Sequence, residues 1–255
     1  MEETTAAWRD KLASWWESYV RRFLGRDEET DYHVRLKVAH TARVRNIARQ
    51  LMQARELPAQ ELAVVDAAAL LHDVGRFPQY WQYRTFRDLL SVDHADLGVE
   101  TLTEEGVWQW VPQETAVVLK QAVLWHNKRA LPPEAAGAAW LPAKVVRDAD
   151  KLDIFDMLTT DKEYRMPPTD GIAQHGGISP ELAATVVSGR LGRPAQVKTA
   201  ADQQVFRISW VYDLNTVEAV RYVAHAGFLP LLLAAVPEGP EKEKVRSAIV
   251  SYLQK

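Results

Sequence analysis

The sequence predicts an all-α fold, and three observations carry that prediction. Apolar residues recur at three- and four-residue steps over most of the 255 residues. Proline, glycine and Ser/Thr/Asp clusters break the chain at helix-length intervals. Convincing alternating runs are absent, except Val205–Tyr212, which reads either as a strand or as the start of a helix capped near Asp213–Asn215.

In chain order, Thr4–Phe23 forms an amphipathic helix with Trp8, Leu12, Trp15, Trp16, Tyr19 and Phe23 on one face. Glu2, Glu3, Asp10 and Glu17 make it more acidic than a membrane-surface helix, which favours packing on its own domain. Gly25–Thr30 is a charged turn, and His33–Glu56 the next helix, with Leu36, His40, Val44, Ile47 and Leu51 along one face. Pro58 opens a helix that runs through Ala67-Ala68-Ala69-Leu70-Leu71 into His72-Asp73 and stops at Gly75, a residue typical just past a helix end. Arg76–Tyr83 is an aromatic connecting segment. Ser91–Asp93 caps a helix from His94 to about Glu104, and Thr115–His126 and Lys144–Arg165 follow. Turn residues fill 167–178, 189–203 is loop-like, and two or three helices complete the chain. The expected organisation is one all-α domain over 1–255, with a core at about 33–160 and a helical extension at about 179–255.

Composition excludes several classes. The chain is 47% hydrophobic and 25% charged, with net charge −3 and no cysteine. Disulfides, thiolate zinc sites and cysteine nucleophiles are thereby removed. No basic footprint points to nucleic acid. No apolar run approaches the ~20 residues of a membrane span, and the first residues lack a signal-peptide apolar region, so a cytoplasmic location is expected.

The chemistry-bearing residues are the inward polar ones. His72-Asp73 ends an apolar helix, where an ionised carboxylate is tolerated only if paired or coordinated to a metal. It is therefore either a buried capping pair or half of a metal site. His40, His94, His126 and Asp150 also share their faces with apolar residues. Each alone reads as a satisfied core group. Together they would each need a separate partner, at about 1–3 kcal/mol per failure, whereas one shared ion satisfies all.

The order His40 … His72-Asp73 … Asp150, in the words VAHTARV, ALLHDVGRF and DADKLD, resembles the HD-domain superfamily of metal-dependent phosphohydrolases over roughly residues 33–160. The resemblance implies an all-α core in which His40, His72, Asp73 and Asp150 hold a divalent metal, with Asp148 and Asp153 as nearby alternatives to Asp150. Subfamilies with two further histidines hold two metals with the HD aspartate bridging. That would put His94 and His126 on a second ion; the alternative is that they line the pocket and bind phosphate. Imidazole and carboxylate without thiolate suit Mn, Fe, Co, Ni or Zn. Where some relatives carry a glutamate three residues after the HD aspartate, this chain has Arg76, which is suited to a bidentate grip on phosphate or to closing a helix end. Lys128 and Lys151 are further candidates for phosphate charge, or solvated cations.

The implied activity is hydrolysis of a small-molecule phosphomonoester or phosphodiester, expected to be a nucleotide, by metal-activated water. A di-iron oxygenase on the same scaffold and a non-catalytic nucleotide-binding HD domain are the competing readings. The aromatic residues Phe77, Tyr80, Trp81, Tyr83 and Phe86 form a wall for a base or core packing. Oligomeric state is left open.

Overall fold

The computed structural model describes residues 2–53, 55–137, 140–160 and 172–254. Its regular elements are helical; among the described residues the sole β pairing is an isolated bridge between Ala173 and Thr199. The chain divides into two compact units, Met1–Asp150 and Lys151–Lys255.

In the first unit α1 is Glu2–Arg21, α2 Glu28–Gln53, α3 Ala59–Leu71, α4 Arg76–Tyr83, α5 His94–Glu104 and α6 Gln113–Trp125. Helix α7, Leu141–Thr160, begins here and carries Asp150. The centre is α3. Ala63, Val65 and every residue from Asp66 to Leu71 are buried, so the second half of the helix is covered on all sides. It packs against α1, α2 and α6, while α5 lies against α4 and α6.

Helix α1 packs on its own unit. Trp8, Leu12, Trp15 and Tyr19 are buried, and the Tyr19 hydroxyl donates to the Val74 carbonyl at 3.1 Å. The aromatic face of α1 therefore braces the turn that carries His72-Asp73.

Four elements differ from the sequence expectation. Helix α2 starts at Glu28, inside the expected charged turn, because the Asp27 carboxylate accepts from the Thr30 amide and hydroxyl and Glu28, Glu29 and Asp31 fill the positive end of the helix. Arg76–Tyr83 is the helix α4 rather than a connector, with Pro78 in its first turn, where a missing N–H is harmless. Gly75 has an ordinary right-handed φ of −66°. Its role is close approach: a Cβ there would meet the His94 carbonyl oxygen at 2.1 Å and the Gly98 amide nitrogen at 2.6 Å. The strand alternative for 205–212 is replaced by helix, as described next.

In the second unit α8 is Pro180–Val187, α9 Ala200–Ile208, α10 Val217–Ala226, α11 Phe228–Ala234 and α12 Pro240–Leu253. A capping box between Thr199 and Asp202 starts α9 within the expected loop. Ala201, Val205 and Ile208 then point inward, and a 3₁₀ turn over Ser209–Asp213 continues the chain. The carboxylate of Asp202 also accepts from the Ser179 amide at 2.6 Å, fixing the approach to α8. The turn expected at Pro167–Gly171 and the end of the helix expected to reach Arg165 lie outside the described residues. No single helix is long and apolar enough to cross a membrane among the described residues.

Candidate metal centre

Six side chains from five segments of the first unit converge beside the C-terminal end of α3. Two of them are delivered by the same local device. His72 and His126 are the first residues past α3 and α6, and each donates its ring Nδ1–H backwards, to the Ala69 carbonyl at 2.8 Å and the Val123 carbonyl at 2.7 Å. A helix end leaves such carbonyls without a partner. The bond satisfies one and assigns the ring proton to Nδ1, so Nε2 faces the centre as a lone pair. His94, first residue of α5, does the same through Asp88: its Nδ1 lies 2.7 Å from Asp88 Oδ2.

Two groups result. His40 Nε2 lies 3.1 Å from Asp150 Oδ1 and 3.4 Å from His72 Nε2. His94 Nε2 lies 2.9 Å from His126 Nε2. Asp73 stands between them and faces one oxygen each way. Its Oδ2 is 3.5 Å from His40 Nε2 and 3.7 Å from His72 Nε2; its Oδ1 is 3.5 Å from His94 Nε2 and 3.7 Å from His126 Nε2. His40, His72 and Asp150, and separately Asp73, His94 and His126, each present donor atoms within 4.8 Å of one another.

This donor set fits divalent cations. The four histidines and Asp73 are buried. Burial pulls the imidazoles of His72 and His94 down to about 4, with the nearby Arg76 guanidinium adding to the effect at His94, so both rings are neutral at neutral pH. Burial alone would raise the Asp73 carboxyl, but the Lys37 ammonium and then the surrounding histidines and Arg76 hold it well below the usual carboxylate range. The Nε2 atoms of His94 and His126 are turned toward each other at 2.9 Å, an arrangement that a shared cation satisfies.

The structure brings together His40, His72, Asp73, His94, His126 and Asp150. Asp148 and Asp153 are buried but join neither group. Arg76 lies on the rim: its Nε is 3.4 Å from Asp73 Oδ1, but its Nη1 donates to Gln79 Oε1, the Phe86 carbonyl and Asp88 Oδ1 at 2.6–2.9 Å. Lys128 is directed to Asp93 and Asp96, at 2.7 and 3.1 Å. Lys151 pairs with Asp213 at 3.0 Å within the second unit. Of the aromatic segment, Phe77 and Tyr80 are core, while Phe86 meets His33 edge-on, lies tilted against Tyr80 and sits under Lys37 and Arg76.

Two residues escaped the sequence reading. Lys37 donates to Asp73 Oδ2 at 2.8 Å. Its position one helical turn before His40 was the available signal, although a lysine there also reads as solvated charge. Asp88 collects His94, Arg76 and Gln79, yet it sits in an irregular segment with no periodicity to mark it.

Comparison with known proteins agrees with this geometry. The family model for the HD domain matches residues 38–154. Searches of curated proteins and of solved structures find no match. All six converging side chains fall inside the matched stretch, which is consistent with the HD-domain superfamily.

Proposed function

We propose that the protein is a metal-dependent phosphohydrolase that cleaves a phosphomonoester or phosphodiester bond of a small molecule, with a nucleotide as the favoured class. HD domains are mostly metal-dependent phosphohydrolases, and the observation that carries the reading here is the orientation of Asp73. One carboxylate oxygen faces His40 and His72 and the other faces His94 and His126. On this reading His40, His72 and Asp150 would hold one divalent ion and His94 and His126 a second, with Asp73 facing both groups. Mn, Fe, Co, Ni and Zn all suit this donor set. Such ions supply a water of lowered pKa and a Lewis acid for a phosphoryl oxygen.

The chain's own residues supply position and charge. The Nδ1 bonds of His72, His94 and His126 keep three Nε2 atoms aimed without rotation. Arg76, held by three acceptors, contributes a fixed positive charge on one side of Asp73. With Lys37 on the other side, the cations exceed the carboxylates once metal is bound, and an anionic substrate is favoured. Phe86, beside both cations, offers an apolar face to a base.

The test is turnover of a phosphatase and phosphodiesterase substrate panel with Mn²⁺, Co²⁺, Ni²⁺, Fe²⁺ or Mg²⁺ added, together with metal content per chain. Activity should vanish in the His72→Ala, Asp73→Ala double variant; undiminished turnover there refutes the assignment. Iron-dependent oxygen consumption without ester cleavage would replace hydrolysis by oxygenase chemistry on the same six residues.

A further inference from the structure

Lys37 is a poor neighbour for a metal site. Its ammonium is 2.8 Å from Asp73 Oδ2, its side chain is 17% exposed, and the Phe86 ring lies 5.2 Å from it. A positive charge at that distance from a bridging carboxylate opposes every cation the site takes up. If the site served metal binding alone, an apolar or neutral side chain would do better. The lysine becomes useful when an anion joins the metals.

The surrounding cations narrow the choice. Arg76 Nη1 is shared among Gln79, Asp88 and the Phe86 carbonyl, and moving it would strand three acceptors. Lys128 and Lys151 are paired with carboxylates elsewhere. The Lys37 ammonium donates to Asp73 itself, and that acceptor is the one a cation would claim. A lysine stem can swing its ammonium through several ångströms, which an anchored guanidinium cannot.

We infer that Lys37 is the residue that binds the phosphoryl group of the substrate: its ammonium, 2.8 Å from Asp73 Oδ2, would turn to a phosphate oxygen where a cation claims that carboxylate oxygen. The inference rests on the phosphohydrolase reading for its substrate class. It assigns two opposed effects to one side chain, weakening metal binding and strengthening phosphate binding. A structural lysine that merely orients Asp73 would strengthen both.

The experiment uses the full chain as wild type, Lys37→Met, Lys37→Gln and Lys37→Arg. Mn²⁺ affinity is measured by competition with a chelator, and affinity of the Mn²⁺-loaded protein for inorganic phosphate by calorimetry. The kcat and KM are measured on p-nitrophenyl phosphate. Lys37→Met should bind Mn²⁺ as tightly as wild type or several-fold tighter, and phosphate about 10- to 100-fold more weakly. Lys37→Arg should keep phosphate affinity within about threefold, because it keeps the charge. Lys37→Gln retains a donor for Asp73 without the charge and serves if the Met variant does not fold; it should show the same phosphate loss. Unchanged phosphate affinity in the loaded Met or Gln variant overturns the inference. So does loss of Mn²⁺ binding in those variants, or a loaded wild type that binds no phosphate. The two readings fail separately. Phosphate binding that depends on Lys37 without ester turnover sinks the hydrolase and leaves Lys37 in place. Full turnover by Lys37→Met sinks Lys37 alone.

Discussion

His94 depends on Asp88 for its ring orientation, whereas His72 and His126 lean on backbone carbonyls that no substitution removes. Asp88 is therefore the point where the centre is open to mutation. Asp88→Ala frees the His94 Nδ1 proton and one acceptor of Arg76, and should weaken metal binding about 10- to 100-fold, read by chelator competition. Asp66, away from the centre, offers a pH test. Burial would raise its carboxyl, but Arg45 and Arg49 hold it below its ordinary value near 3.8. A carboxyl depressed by folding adds stability that is complete above the unfolded value and is lost as pH falls through the folded one. Asp66→Asn should thus be less stable than wild type by about 1.5–3 kcal/mol at pH 7, and the difference should shrink as pH drops below about 3.8 in denaturant titrations. A difference independent of pH would show that the ion pair contributes nothing.

At the level of elements, the centre exists because α5 comes within backbone contact of the turn after α3. Gly75 and Gly98 make that approach possible. Gly75→Ala puts a methyl against the His94 carbonyl and should push α5 away from Asp73. The expected loss is about 1–3 kcal/mol of stability, with weaker metal binding through the displaced His94. An alanine variant as stable as wild type would mean that the two segments separate easily. Helix α1 supports the same turn from outside through the Tyr19–Val74 bond, and Tyr19→Phe should lose about 1 kcal/mol with little effect on metal affinity.

For the molecule as a whole, bound metal should be a large share of stability. The first unit keeps four histidines and Asp73 buried at one place, and any cation that binds the folded chain shifts the unfolding equilibrium toward it. At a free metal concentration about 100 times Kd the gain is about 2.7 kcal/mol. Thermal unfolding of chelator-treated protein should therefore move up on adding Mn²⁺. A midpoint that ignores every transition metal would leave the cluster as a polar core.

Much of this was legible in the residues themselves. Ala67–Leu71 announces a helix buried on all sides, and the faces of His40, His126 and Asp150 follow from a 3.6-residue period. The words around His40, His72 and Asp150 identify the HD pattern in order. Chain order, periodicity and residue chemistry therefore determined the all-α class and the six side chains that meet. Tertiary structure alone decided the rest: that Gly75 serves contact rather than a helix stop, that Asp73 divides its oxygens between two histidine pairs, that Arg76 is anchored by Asp88, and that Lys37 shares the carboxylate. The physical reason is range. Periodicity reports which way a side chain faces from its own helix, but which charge stands opposite it is set by a segment tens of residues away.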